Sequence, residues 1–218
     1  MTGSPRLTQP ERVEAMRNRL LDASIECLAD TGYSGFSTNE VVRRAGVSRG
    51  ALAHHFPAKA DLVAAAADRL VALRAAEFRA RFGAVAAPGR TVATALDVLW
   101  TFFDDPSYQA LLELIVAARS DDELRPVMAA GLRHAAEVTR EVFAESFPEL
   151  ADSPFIGETL DAILALYSGL AAQAALDGGA ADRHTAVRNL LKGALSLAVA
   201  AAPIQVPISV RSDLEERP

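Results

Sequence analysis

The segment Ser37–Phe56, STNEVVRRAGVSRGALAHHF, constrains this chain most, because it sets two short helices around a tight turn. Val41, Val42 and Ala45 give the first helix an apolar face, and Ser37 with Glu40 three residues on predicts a capping box at its start. Gly46 stands where that helix must stop, since only glycine enters the left-handed region cheaply. Val47 is the apolar turn residue. Ser48 is the expected cap of a second helix from Arg49 to about Phe56, with Leu52 and Phe56 on one face at i, i+4 spacing. Its other face offers Arg49, Gly50, Ala51, Ala53, His54 and His55. This is the pattern of a helix-turn-helix whose second helix fits the major groove. Two amphipathic helices around a glycine also occur in plain α-helical domains, so the surroundings have to decide. The segment is almost free of acid after Glu40, and it carries Arg43, Arg44, Arg49 and, just beyond, Lys59.

Net charge argues the other way at first, at −6 over 218 residues. Its distribution resolves the conflict. Residues 1–60 hold eight Lys or Arg against six Asp or Glu, whereas residues 61–218 hold fourteen against twenty-two. The front of the chain can meet phosphate and the rest is acidic. Half the residues are apolar, which excludes a disordered chain and supports a sizeable core. A single cysteine, Cys27, permits no internal disulfide and fits a reducing cytoplasm. The first 19 residues are too polar for a signal core, and the apolar run Leu190–Ala202 is too short to span a bilayer. No membrane association is expected.

The residues Thr38, Ala45-Gly46-Val47-Ser48, Gly50, Leu52, His55-Phe56 and Lys59-Ala60-Asp61-Leu62, after a helix ending in Thr31-Gly32-Tyr33, resemble the TetR family of bacterial transcriptional regulators. The resemblance covers roughly residues 15–65; beyond it the chain resembles the family in length and helical character. It implies that Gly50 and Ala51 lie against bases while Thr38, His55 and Lys59 hold phosphates. The family usually has Tyr where this chain has Ala53, which puts a backbone contact at that position in doubt.

Helical spacing predicts an all-α chain of about nine helices: a three-helix DNA-binding head over 1–60, a ligand-binding and dimerisation body over 61–202, and an irregular tail over 203–218. Residues 1 to about 9 are expected to be mobile. The first helix runs from about Pro10 to Thr31, stopped by Gly32. A long helix from about Ala58 to Phe82 joins head to body, and Gly83–Gly89 breaks it. Thr91–Phe103 and then Pro106–Ala118 follow. Ser120-Asp121-Asp122-Glu123 reads as a capping box opening a helix to Phe147. Ser153 as cap, with Pro154 in the first helical position, opens the next helix, to Leu176. Asp177-Gly178-Gly179 breaks the chain again, and Asp182 caps a last helix to Ala201. The helices near 155–176 and 182–201 carry apolar residues on more than one face, hard for a monomer to cover; the family resemblance implies a homodimer through them, the alternative being central core helices of a monomer.

Arg49 and His54 are the base-edge candidates, Arg because its fork matches the two acceptors of guanine. Ser48 joins them at the helix start. Adjacent helical residues point about 100° apart, so His54 and His55 do not suit one metal ion. Large aromatics concentrate in the body. Packing explains any one of them, yet Trp100, Phe102, Phe103, Tyr108, Phe143, Phe147 and Tyr167 together suit an apolar pocket, with Glu113, Arg119 and His134 as polar groups that either orient a ligand or are simply solvated. There is no phosphate loop, metal-ligand cluster or nucleophile elbow, so no enzyme activity, cofactor or metal is expected. The expected function is a cytoplasmic, dimeric transcriptional regulator, a repressor released from a palindromic double-stranded DNA operator by a small apolar or aromatic effector. The alternative is a helical small-molecule binding protein without specific DNA binding, for which Ala53 is the best support.

Overall fold

The computed structural model describes residues 8–177 and 181–201. Among them are nine α-helices and no strand: α1 (Gln9–Gly35), α2 (Thr38–Ala45), α3 (Arg49–His55), α4 (Lys59–Ala84), α5 (Val92–Phe103), α6 (Pro106–Ala117), α7 (Leu124–Ser146), α8 (Ile156–Asp177) and α9 (Ala181–Ala201). The Gly178-Gly179 break, residues 1–7 and the tail lie outside the described residues; α9 already begins at Ala181, so Asp182 stands within the helix and not ahead of it as its cap.

Most boundaries follow local chemistry. Thr8 and Glu11 form a capping box that starts α1. Gly32 takes φ 62°, the left-handed value the sequence required, so the main helix stops there and a short turn reaches Gly35. Gly46 closes α2 at φ 63°. The Ser48 hydroxyl accepts from the Ala51 N–H at 3.1 Å and starts α3. Thr91 and Asp105 cap α5 and α6.

Three other expected caps are not formed. Ser37 makes no side-chain cap bond, and Glu40 does not complete a capping box with it. Its carboxylate is held by Arg43 and, at 2.8 Å, by Arg44. At α7 the cap is Asp121, which accepts from the N–H groups of Glu123 (3.0 Å) and Leu124 (2.9 Å). Ser120 instead donates to the Ala117 carbonyl. Pro154 does not start α8: Phe155 adopts φ 63°, a left-handed value for a non-glycine residue, and the helix begins at Ile156.

Three apolar clusters hold these helices together. The first runs through head and body alike. Leu20, Leu21, Cys27 and Leu28 of α1, Val41 of α2, Phe56, and Leu62, Val63 and Ala66 of α4 pack with Ala110 and Leu114 of α6 and Leu124 and Met128 of α7. The second joins Phe78 and Phe82 of α4 to Phe102, Val142 and Phe147. In the third, Trp100, Phe103 and Tyr167 pack with Leu191 and Leu195 of α9. Ion pairs brace neighbours: Arg69 with Asp22 and Arg79 with Glu145, each bidentate at 2.6 and 2.9 Å, and Arg140, one of whose nitrogens donates to both Asp161 oxygens at 2.7 and 2.8 Å.

Over Ile156–Leu176, α8 is long and apolar enough to cross a membrane by length and composition, with a mean hydropathy of 1.3. The sequence reading overlooked this stretch in favour of the shorter run near the C-terminus. Leu160, Ile163, Tyr167, Leu170 and Ala171 of α8 face the third cluster.

Because the first cluster belongs to head and body together, Leu114→Ala is expected to cost ~2–5 kcal/mol, as for a large core truncation. The wild type should unfold in one step, with helix circular dichroism and Trp100 fluorescence coincident in a urea titration. A separate early transition of the helical signal would show instead that the head unfolds alone.

Candidate nucleic-acid interface and ligand cavity

At the head, two of the basic side chains are already committed. Arg43 and Arg44 both hydrogen-bond Glu40, and Arg44 also pairs with Asp30 at 2.6 Å. These bonds hold the Glu40 carboxyl down at about 2, Arg43 contributing most. Two of the cations counted in the sequence are thus neutralised by neighbouring acids. Arg49 differs: it is exposed at the first position of α3 and makes no ion pair among the described residues. Gly50 and His54 are exposed beside it, with Ala51 half-buried. The His55 ring lies 6.3 Å from the Phe56 ring, which anchors α3 in the core. Thr38 opens α2, half-buried. Lys59 opens α4, exposed, with its ammonium 4.3 Å from the centre of the Tyr33 ring and 5.3 Å from that of Phe36. Such cation–π contacts fix where the charge is held while leaving it facing solvent. An exposed helix with small residues and an unpaired Arg, flanked by a Lys held against two rings, has the chemistry to read base edges and grip phosphate.

A cavity of about 250 Å³ lies in the body between α4, α5, α6, α7 and α8. Leu70, Phe78, Leu99, Phe102, Val138 and Phe143 are among its apolar lining residues. Of the aromatics singled out in the sequence, Phe102, Phe103, Tyr108, Phe143 and Phe147 line it, with the Phe103 and Tyr108 rings 4.5 Å apart. Trp100 and Tyr167 lie outside its lining. They pack edge to face at 5.3 Å in the cluster that carries α9. The Tyr167 hydroxyl donates to the Leu96 carbonyl at 3.2 Å, and burial pushes its pKa up to about 12. The three polar candidates are also elsewhere. His134 is exposed on α7, and the exposed Arg119 follows α6 and offers its carbonyl to Arg125 at 3.1 Å. Glu113 lies at the joint with the head, accepting from the Tyr33 N–H at 3.0 Å.

The polar groups that do line the cavity are Arg74, Ser107, Tyr108, Thr139 and Ser168. Arg74 donates to Glu77 at 2.8 Å and to Ser107 at 2.9 Å, and pairs with Asp105 at 2.8 Å. Burial works to raise the Asp105 pKa, but the hydrogen bonds from Ser107 and the charge of Arg74 together bring it below the ordinary value. Ser168 donates to the Leu164 carbonyl at 2.7 Å, so its 2.5 Å contact with Tyr108 has the tyrosine as donor. Burial raises the Tyr108 pKa, which keeps that phenol neutral. The Tyr108 oxygen retains an acceptor position for a ligand. Arg74 had a signal in the sequence: one Arg among Ala67, Val71 and Phe78 at helical spacing on an otherwise apolar stripe. The hydroxyls of Ser107 and Ser168 had none, being common on helices.

Comparison with known proteins extends this picture. Residues 20–66 match the family described as bacterial regulatory proteins, tetR family, and residues 86–197 match the tetracyclin repressor-like C-terminal domain. An uncharacterized HTH-type transcriptional regulator of Mycobacterium tuberculosis is 32% identical over 179 residues, covering 79% of this chain and 87% of its own length. The HTH-type transcriptional regulator CymR of Pseudomonas putida is 38% identical over 120 residues; that match covers 55% of this chain and 59% of CymR. Among solved structures, the multidrug binding protein EbrR, complexed with imidazole, superimposes with a TM-score of 0.57 at 26% identity, covering 80% of this chain and 92% of EbrR.

Two substitutions separate the roles expected at the head. Arg49→Ala should weaken binding to the preferred duplex by ~1–3 kcal/mol and relax its sequence preference. Lys59→Ala should weaken binding to all duplexes alike and reduce the salt slope by about one. Gel shifts across a salt series on preferred and scrambled duplexes read both; an unchanged preference in Arg49→Ala removes its base-reading role.

Proposed function

The chain belongs to the TetR family of bacterial regulatory proteins, DNA-binding regulators of transcription, and from that membership we propose that it is a repressor released from its operator by a small apolar or aromatic ligand. The observation that carries this reading is the cavity. It is apolar on nearly all sides, has a few fixed polar groups, and takes one wall from α4, the helix that begins at Lys59 in the head. EbrR, a multidrug binding protein of similar fold, is consistent with such a use of the body.

The proposed division is a DNA-binding head over 1–60 and a ligand-binding and dimerisation body over 61–202, with the protein acting in the cytoplasm. The dimer forms through α8 and α9. Leu190 and Leu197 of α9 are 75% and 74% exposed, and the outer face of α8 presents Ala162, Ala165, Gly169 and Ala172. Leucines so exposed favour a partner. Pairing two heads places two copies of α3 to read half-sites about 34 Å apart, which makes a palindromic operator the matching target. The ligand acts by favouring a form in which that spacing is wrong.

Selection from a random duplex pool supplies the operator, and a thermal-shift screen of neutral aromatic and aliphatic compounds supplies the ligand. Calorimetry of that ligand, with and without operator, then tests the switch. A differential of ~2–3 kcal/mol corresponds to roughly 30- to 150-fold weaker binding in the presence of operator, since coupling is reciprocal. Equal affinities reject the switch. For the dimer, Leu166 and Leu195 pack within the chain's own third cluster, so the exposed leucines are the proper targets. Leu190→Glu and Leu197→Glu should give monomers in sedimentation, because an unpaired charge is costly to bury. A wild type that sediments as a stable monomer at micromolar concentration rejects the interface.

A further inference from the structure

Glu113 sits on α6, the helix that presents Ser107, Tyr108 and Leu111 to the cavity and Ala110 and Leu114 to the core shared with α1. Its carboxylate reaches out of the body to the head. It accepts from the Tyr33 N–H at 3.0 Å, a donor that the kink at Gly32 leaves free of the α1 ladder. Gly32 suits this turn because its φ of 62° favours glycine, and a Cβ built on it would push the Glu113 carboxylate out of this position. From the same residue, the Tyr33 hydroxyl reaches Asp121 at 3.4 Å, and the ring lies under the Lys59 ammonium at 4.3 Å. The order of contacts is therefore cavity wall, Glu113, Tyr33 backbone, Tyr33 ring, Lys59.

We infer that Glu113 is a positioning residue for DNA binding: it holds the Gly32–Tyr33 turn so that the Tyr33 ring fixes the Lys59 ammonium, and it ties that cation to the helix forming one wall of the ligand cavity. An ionised acceptor suits this task, because a charge-assisted bond to a backbone N–H is shorter and stronger than a neutral one. A mere surface hydrogen bond would affect only stability. A positioning role also changes how many phosphates the protein engages. The inference rests on Lys59 as a phosphate contact, and Lys59→Ala alone tests that part.

The full-length chain is measured on the duplex that the wild type selects, across a salt series, as wild type, Glu113→Ala, Glu113→Gln, Lys59→Ala and Glu113→Ala with Lys59→Ala. Glu113→Ala should lose roughly 5- to 10-fold in affinity, at the low end of coupling between sites. It should also flatten the salt slope by about one, as Lys59→Ala does. The double variant should be no weaker than Lys59→Ala, because residues acting through one contact are non-additive. Glu113→Gln, whose amide oxygen still accepts, should recover most of the affinity. Where Lys59→Ala flattens the slope and Glu113→Ala does not, the inference falls and the phosphate role of Lys59 stands. Fully additive losses in the double variant overturn it equally, as does a Glu113→Ala protein that melts earlier yet binds with wild-type affinity and slope.

Discussion

The packing of α6 across α1 is the constraint on which the other features depend. Leu114 is 2% exposed, and it meets α1, α4 and the start of α7 in one cluster. In such a cluster each apolar group buries another, and about 25 cal/mol per Å² of buried apolar surface accumulates without regard to direction. The direction comes from what surrounds the cluster. The turns at Gly32 and Gly46 bring α2 and α3 back onto α1, while α4 leaves the same core and runs along α7 into the body. Head and cavity are thereby two ends of one continuous packing arrangement.

Charge plays a different part. The bridges between helices are partly exposed pairs, each worth little in water, so they select neighbours more than they stabilise them. Their greater effect is subtraction. Pairing removes Arg43 and Arg44 from the head's free charge and Arg74 from the cavity's, while Arg49 and Lys59 stay exposed where α3 and α4 begin. An acidic protein can approach DNA when the few uncompensated positive groups are gathered on one surface.

Much of this was legible in the residues. Gly32, Gly46 and Ser48 act through local geometry, so their roles follow from residue type alone. The caps at Ser37 and Ser120 were misplaced because several local partners compete for the same groups. Glu40 has two Arg within one turn, and Asp121 lies nearer than Ser120 to the free N–H groups of α7. The cavity was legible only in outline. Aromatic spacing located it among the central helices, but which ring points inward depends on helix rotation, and Trp100 and Tyr167 turned toward α9. Glu113 was conspicuous as an acid on an apolar helix. Its partner, however, is a backbone N–H some eighty residues away, a pairing that no periodicity encodes.

The shared core also bears on how such a protein can be recombined. A head cut at the start of α4 would leave behind Ala110, Leu114, Ala118 and Leu124, which share one apolar cluster with its own Leu20, Leu28 and Phe56. Grafted onto another body, it would meet a surface shaped for different side chains. The unit that transplants is therefore discontinuous: residues 8–66 together with the inner face of α6 and the first turn of α7. Helix α6 is inherited with the DNA-binding specificity as much as with the ligand.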